Sequence, residues 1–188
     1  MLKTRLRRKA LGVDVVIPTR NDFVHLGKIL EVLEGINEID KVIVVDNASD
    51  KVTSQVILNV CKRVKKAKYV YCSEPGKGNA VKKGITYTTG DVLFLDADIE
   101  NFSDSIVRRL LNAFPGHDLV KASIMRKNGQ CNNKSVVEAI RKEYSNLKVQ
   151  YPMCGIYCAR RSLLLSVKIS PSWSVDMSIL LQAHINAP

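Results

Sequence analysis

Gly90-Asp91-Val92-Leu93-Phe94-Leu95-Asp96-Ala97-Asp98 is the stretch that decides the fold. Val92 to Leu95 form a short, unbroken, β-prone apolar run, as a strand buried on both faces of a parallel sheet requires. Asp96 and Asp98 fall just past its carboxyl end, the edge where open α/β sheets hold ligands. Two carboxylates this close repel unless a cation lies between them or one is protonated. Mg²⁺ or Mn²⁺, which take one or two carboxylates together with substrate phosphates, suits the pair. Taken alone, an Asp-x-Asp also reads as a solvated acidic turn capping the next helix.

The 188 residues make one domain, long enough to bury a core. No run of about eighteen apolar residues is present, so no membrane span is expected. Met1 to Ala10 is basic without the apolar core of a signal peptide. The formal net charge of +11 suits an anionic partner. Much of the excess sits in two clusters. Lys3, Arg5, Arg7, Arg8 and Lys9 suit weak contact with an anionic membrane surface. Lys62, Arg63, Lys65, Lys66 and Lys68 read first as a solvated face late in a helix. Five cysteines, Cys61, Cys72, Cys131, Cys154 and Cys158, are odd in number and lack zinc-ribbon spacing. Free thiols of this kind fit a reducing cytoplasm. A nucleic-acid binder is disfavoured because the basic runs lack clustered aromatics for stacking.

Outward from the central run, strands and helices alternate. Val13 to Ile17 is the first strand, and Asn21 or Asp22 is placed to cap the helix bearing Leu26, Ile29, Leu30 and Leu33. Val42 to Val45 is the second strand. Val52, Val56, Val60 and Val64 form the expected stripe of the second helix, and Tyr69 to Cys72 a third strand. Pro75 to Asn79 is a Gly-rich turn entering a helix over 80–88. Ser103 is placed to cap a helix bearing Ile106, Val107, Leu110 and Leu111, broken at Pro115-Gly116. A strand over 119–125, a polar loop over 126–134, helices over 136–147, 161–167 and 175–183, and an extended stretch over 152–159 complete the chain. The fold class is α/β, a Rossmann-like, mainly parallel sheet with helices on both faces.

In such a sheet the strand exits collect on one edge: Thr19 to Asp22, Asp46 to Asp50, Lys77 to Asn79 and Asp96 to Asp98. Asp46 is suited to accept from the imide N–H of a uracil. Lys77 lies between glycines that let backbone approach a phosphate, at a helix start that favours anions. Neither the Walker spacing nor the dinucleotide Gly-x-Gly-x-x-Gly pattern is present.

Val-Val-Ile-Pro-Thr-Arg-Asn (15–21), Val-Ile-Val-Val-Asp-Asn-Ala-Ser-Asp (42–50), Gly-Lys-Gly-Asn-Ala (76–80) and the central stretch, in this order, resemble the nucleotide-binding motifs of GT-A glycosyltransferases. Within that group the likeness is to glucosyl-3-phosphoglycerate synthases and their mannosyl relatives. Leu-Val-Lys-Ala-Ser (119–123), the segment 154–164 and Trp-Ser-Val-Asp-Met-Ser-Ile-Leu-Leu (173–181) are similar to that family's later blocks, more loosely. The early motifs are also similar to those of polyprenyl-phosphate sugar transferases. The resemblance implies a GT-A fold of three parts: a basic segment over 1–12, a nucleotide-binding half over 13–100 and an acceptor-binding half over 101–188. It implies that Pro18, Thr19, Arg20 and Asp22 line the nucleoside pocket, and that Asp46 and Asn47 meet base and ribose. Lys77 would face the diphosphate or sugar, and Gly155 would border the donor sugar. Asp98 would be the main ligand of Mg²⁺ or Mn²⁺, with Asp96 on ribose or metal. Asp176 would orient a hydroxyl or act as general base, and equally reads as an acid at a helix N-terminus.

The departures bear on specificity. Gly155-Ile156 stands where the phosphoglycerate-type enzymes carry Gly-Glu, and Asn132-Asn133-Lys134-Ser135 lacks their acceptor-loop arginine. Lys121, Arg126, Lys134 and Ser135 are the alternative acceptor-binding set. His184 falls too early to match the family's histidine metal ligand, so the acceptor half is expected to be truncated. The resulting expectation is a cytoplasmic, metal-dependent transferase of a sugar from a UDP- or GDP-sugar to an anionic acceptor such as a phosphoglycerate. Homodimer formation is compatible with it. A polyprenyl-phosphate sugar transferase at the inner membrane face, and a nucleotide-sugar binding module without turnover, are the alternatives.

Overall fold

The computed structural model describes residues 12–123, 134–147 and 149–186. The first basic cluster, Cys131, Arg126 and the side chain of Lys134 lie outside the described residues. The elements run β1 (Val13–Thr19), α1 (Leu26–Glu34), β2 (Ile39–Asn47), α2 (Lys51–Cys61), β3 (Ala67–Cys72), α3 (Lys77–Ile85), β4 (Val92–Phe94), α4 (Asp104–Ala113), β5 (Leu119–Lys121), α5 (Lys134–Glu143), β6 (Tyr157–Ala159), α6 (Arg161–Ser166) and α7 (Val175–Ile185).

The six strands form one sheet in the order β3-β2-β1-β4-β6-β5. β3, β2, β1 and β4 are mutually parallel, while β6 runs antiparallel to both β4 and β5. The chain winds from β1 outward to β3, then returns to place β4 on the other side of β1. That reversal is the point where open α/β sheets bind ligands. The antiparallel β6 has a second consequence. Its amino end, preceded by Gly155, lies at the same edge as the carboxyl ends of β4 and β5.

The apolar side chains divide between two faces by strand alternation. Val15, Ile17, Val42, Val44, Leu93 and Leu95 meet α1, α2 and α4 on one face. Val16, Ile43, Val45, Val92 and Phe94 meet α3, α6 and α7 on the other. Val92 to Leu95 is buried throughout, as a strand covered on both sides must be. Leu26, Ile29, Leu30 and Leu33 are the buried residues of α1.

Several local expectations are corrected. Asn21 and Asp22 do not cap α1. His25 holds the cap position without a side-chain bond, and Asn21, with φ of 52°, points its amide elsewhere. The α2 stripe is rotated: Val52 is 76% exposed, and Ile57 and Cys61 are the buried residues. Asp50 caps α2 by accepting from the N–H groups of Val52 and Thr53. Ser103 sits at the α4 cap position but bonds Ser105 rather than the backbone.

Candidate active site

The four strand exits are tied together in sequence around the edge. Asn21 N–H donates to Ser49 Oγ at 2.9 Å, and Asn21 Oδ1 accepts from Asp50 N–H at 2.9 Å, joining the β1 and β2 exits. Asn47 Oδ1 accepts from Gly76 N–H and its Nδ2 donates to the Glu74 carbonyl, both at 2.7 Å, joining β2 to the turn before α3. Lys77 Nζ donates to Asp96 Oδ1 at 2.6 Å, joining α3 to the β4 exit. The same ammonium donates to Asp176 Oδ2 at 2.7 Å, bringing in α7 from 99 residues away.

Lys77 is therefore the hub. Its side chain is 11% exposed, that of Asp176 7% and that of Asp96 34%, so the cluster opens to solvent through Asp96. Burial opposes the charge on Lys77, but the carboxylates of Asp96 and Asp176 outweigh it and hold the ammonium above the ordinary lysine range. Burial pushes the Asp176 carboxyl up, with Lys77 and Lys121 pulling the other way. Lys121, from β5, donates from Nζ to the main-chain carbonyl of Asp176 at 3.2 Å and lies 4.4 Å from the centre of the Tyr157 ring. Burial pushes its ammonium down to about 8.

Glycines make two of these approaches. Gly155 packs its Cα against the Asp96 carboxylate, where a Cβ would lie 2.5 Å from Oδ1. Gly76, at φ of +124°, and Gly78 flank Lys77 because the 170–172 segment presses on them. A Cβ would strike the Pro171 carbonyl at the first and the Ser170 carbonyl at the second. The expected anion cradle at this helix start is corrected for the same reason. Gly78 and Asn79 donate their N–H groups to the Ser172 and Pro171 carbonyls at 3.2 Å. The positive charge offered here is the Lys77 side chain, not the backbone.

Asp46 and Asn47, expected to meet base and ribose, are engaged within the protein. Asp46 is wholly buried, with Oδ1 accepting from Ser49 N–H and Oδ2 from the Tyr69 hydroxyl. Asn47 is 3% exposed and has both ends of its amide engaged. In this conformation both brace the loops rather than face a base. Pro18 is half-buried, Thr19 is buried with its hydroxyl donating to the Asp22 carbonyl, and Arg20 is exposed at the same edge. Lys121, expected in the acceptor set, turns to Asp176 and Tyr157. Ser135 is exposed at the start of α5. Tyr157, Tyr69 and the 170–172 segment pack into this cluster, a place their sequence reading as family block, strand and turn did not give them. An aromatic residue two positions past Gly155 was the one available signal for Tyr157.

The donors available for a cation are hard carboxylate oxygens. Asp98 is exposed, and Asp96 keeps one oxygen off Lys77. Among the described residues no group of three His, Cys, Asp or Glu side chains is placed to hold an ion alone. His184 instead packs edge-on to Tyr144. Two carboxylates at an open rim fit Mg²⁺ or Mn²⁺ when substrate phosphates complete the shell.

A sheet edge of this topology, with an Asp-x-Asp at the β4 exit and a lysine bridging two carboxylates, defines a nucleotide-sugar transferase fold. Residues 14–167 match the model for glycosyl transferase family 2, and the chain belongs to that family. It is 26% identical to the glucosyl-3-phosphoglycerate synthase of Mycolicibacterium smegmatis, over 92% of this chain and 64% of that protein. The chain thus spans somewhat less than two thirds of that relative. The glucosyl-3-phosphoglycerate synthase of Mycobacterium tuberculosis in complex with uridine-diphosphate superposes with a TM-score of 0.79 at 25% identity, covering 93% of this chain and 65% of that one. The same enzyme with Mn²⁺, uridine-diphosphate and glucosyl-3-phosphoglycerate gives 0.80 at 24% identity, with the same coverage. Among the described residues no helix is long and apolar enough to cross a membrane.

Proposed function

We propose that this chain transfers a sugar from a UDP- or GDP-sugar to an anionic acceptor of the phosphoglycerate kind, with Mg²⁺ or Mn²⁺. The observation that carries it is the Lys77 bridge between Asp96 and Asp176 at the edge where the sheet reverses. Asp98 and Asp96 would hold the ion, which when bound supplies Lewis-acid neutralisation of the leaving diphosphate. Lys77 keeps a permanent positive charge beside the same diphosphate. Arg20 and Asp22 flank the nucleoside side of the rim. Asp176, fixed at side chain and backbone by two lysines, orients a hydroxyl of the sugar or acceptor. Held by Lys77, its carboxylate serves better as a hydrogen-bond acceptor than as a free base. Gly155 borders the donor sugar next to Asp96.

A phosphoglycerate acceptor is supported by the relatives at 26% identity, and by the basic residues Arg126 and Lys134, which follow β5 in the sequence. The test is a donor-hydrolysis and transfer screen. UDP- and GDP-sugars are supplied with Mg²⁺ or Mn²⁺, then with 3-phosphoglycerate, other phosphorylated small molecules and a polyprenyl phosphate. Metal-dependent transfer to a phosphorylated small molecule is the expected result. Donor binding without hydrolysis or transfer under any condition would reduce the chain to a binding module. Transfer confined to polyprenyl phosphate would move the acceptor to the membrane surface.

A further inference from the structure

We propose that Lys121 is a positioning residue for the transfer step: from β5 it holds the first turn of α7, and so Asp176, in place, and does not bind the acceptor. This rests on the transferase reading above. The geometry has three parts. Lys121 Nζ donates to the Asp176 main-chain carbonyl at 3.2 Å. A helix carbonyl has two lone pairs, so it accepts this bond in addition to its ladder bond. The same ammonium sits over the Tyr157 ring, 4.4 Å from its centre, within the range for a cation–π contact.

That ring is a rigid seat. Tyr157 is fully buried, pairs with Lys121 on one side and Phe94 on the other, and stacks on Phe94 with centroids 4.6 Å apart. Its hydroxyl has no hydrogen-bond partner within ordinary limits. The nearest charge to that hydroxyl is the Asp176 carboxylate itself, and the ring is held by its stack on Phe94 and its place in the sheet. Lys77 meanwhile grips the Asp176 carboxylate from α3. One residue is thus fixed twice, at its carboxylate and at its backbone, by cations from separate elements. Lys121 is half-buried, and its ammonium is already engaged by the Asp176 carbonyl and the Tyr157 ring.

The charged and titratable groups facing Lys121 are Asp176 on α7, Cys154 before β6, Lys77 on α3, Asp96 after β4 and the Tyr157 phenol on β6. Burial lowers its pKa to about 8 against the pull of Asp176, so the proton leaves in an accessible range while Lys77 keeps its own. For the wild-type chain, kcat is expected to fall about tenfold per pH unit above about 8, with flat KM for donor and acceptor. Lys121→Arg retains its charge and should lack this alkaline limb. Lys121→Met should lose kcat about 100-fold at neutral pH with unchanged acceptor KM.

A tenfold or greater rise in acceptor KM at constant kcat in Lys121→Met would overturn the proposal and restore an acceptor-binding role. Wild-type kcat in that variant would overturn it too. Hydrogen–deuterium exchange over residues 175–180 gives a readout that needs no turnover. Exchange should be faster in Lys121→Met than in the wild type, and slow again in Lys121→Arg. Equal exchange in all three overturns the positioning role whatever the activity. Faster exchange in a wild-type-folded chain that turns over no donor would instead strike the transferase reading and leave the clamp on α7 standing.

Discussion

Replacing Gly155 by alanine adds one methyl group at the back of the Asp96 carboxylate. The new Cβ would lie 2.5 Å from Asp96 Oδ1 and 2.7 Å from Cγ, where ordinary contact begins at 3.4 Å. The carboxylate must therefore shift by about 1 Å, and a shift wholly away from Lys77 would stretch their 2.6 Å ion pair to roughly 3.6 Å. At an effective dielectric of about 20 the gross attraction drops by roughly 2 kcal/mol. Solvent around a carboxylate that is 34% exposed screens this to about 1 kcal/mol or less. Overpacking adds roughly 1 kcal/mol more, so the fold should survive with a modestly lower midpoint in urea. Turnover is more sensitive. A displacement near 1 Å in a positioned group costs on the order of 100-fold, and the loss should fall on kcat for metal-dependent donor hydrolysis. The double variant with Asp96→Ala should be no worse than Asp96→Ala alone, because both changes act on one contact. Additive losses would show that the methyl acts elsewhere. A Gly155→Ala enzyme with more than about a third of wild-type kcat would refute the claim that Gly155 sets the place of Asp96.

Other perturbations separate the remaining roles. Asp98→Ala removes an exposed side chain, so stability should change by less than about 0.5 kcal/mol while Mn²⁺-dependent donor binding disappears in titration calorimetry. Unchanged binding would take the metal away from Asp98. Lys77→Met leaves the buried Asp176 carboxylate without its cation and should cost roughly 2–4 kcal/mol in chemical denaturation. It should also weaken a nucleotide-sugar more than the free nucleoside, and equal losses would move Lys77 off the diphosphate. The pKa of Lys121 is depressed in the folded chain from 10.5 to about 8. Between those values the unfolded chain binds more protons, so this group's contribution to stability rises with pH and is lost as pH falls through about 8. Compared with Lys121→Met, the wild type should gain on the order of 3 kcal/mol between about pH 7 and about pH 11 in urea melts. A constant difference would contradict the buried ammonium. Stability would thus climb over the range in which turnover declines.

Hydrophobic periodicity carried the architecture wherever a segment is covered on one known side. The α1 stripe and the Val92–Leu95 run are buried as their patterns require. It misled in α2, where Val52 keeps the helical spacing yet lies in the exposed first turn. The antiparallel β6 was hidden for another reason. A three-residue strand gives too short a pattern to show direction, and nothing local marks its pairing with β4. The site was legible as a set of loops at one edge, and the Asn21, Asn47 and Lys77 bonds join those loops. Individual roles were less so. Whether an aspartate or asparagine at a strand exit faces a ligand or braces a turn depends on distant partners, here Tyr69 for Asp46 and Glu74 for Asn47. Spacing in the chain does not encode those partners. The direction of Lys121 follows from Tyr157 opposite it in the sheet, which spacing in the chain does not give.

The reversal of β6 bears on how the polypeptide can be cut. The first hundred residues look like a self-contained module, yet β4 has β6 as its second neighbour, and the opening amides of α3 bond residues 171 and 172. A fragment ending near residue 120 would leave one edge of the wholly apolar β4 unpaired, with β1 still on its other side, and the Lys77 turn without its support. Such a fragment should clump rather than dissolve, and the two pieces should recover a soluble particle only when expressed together.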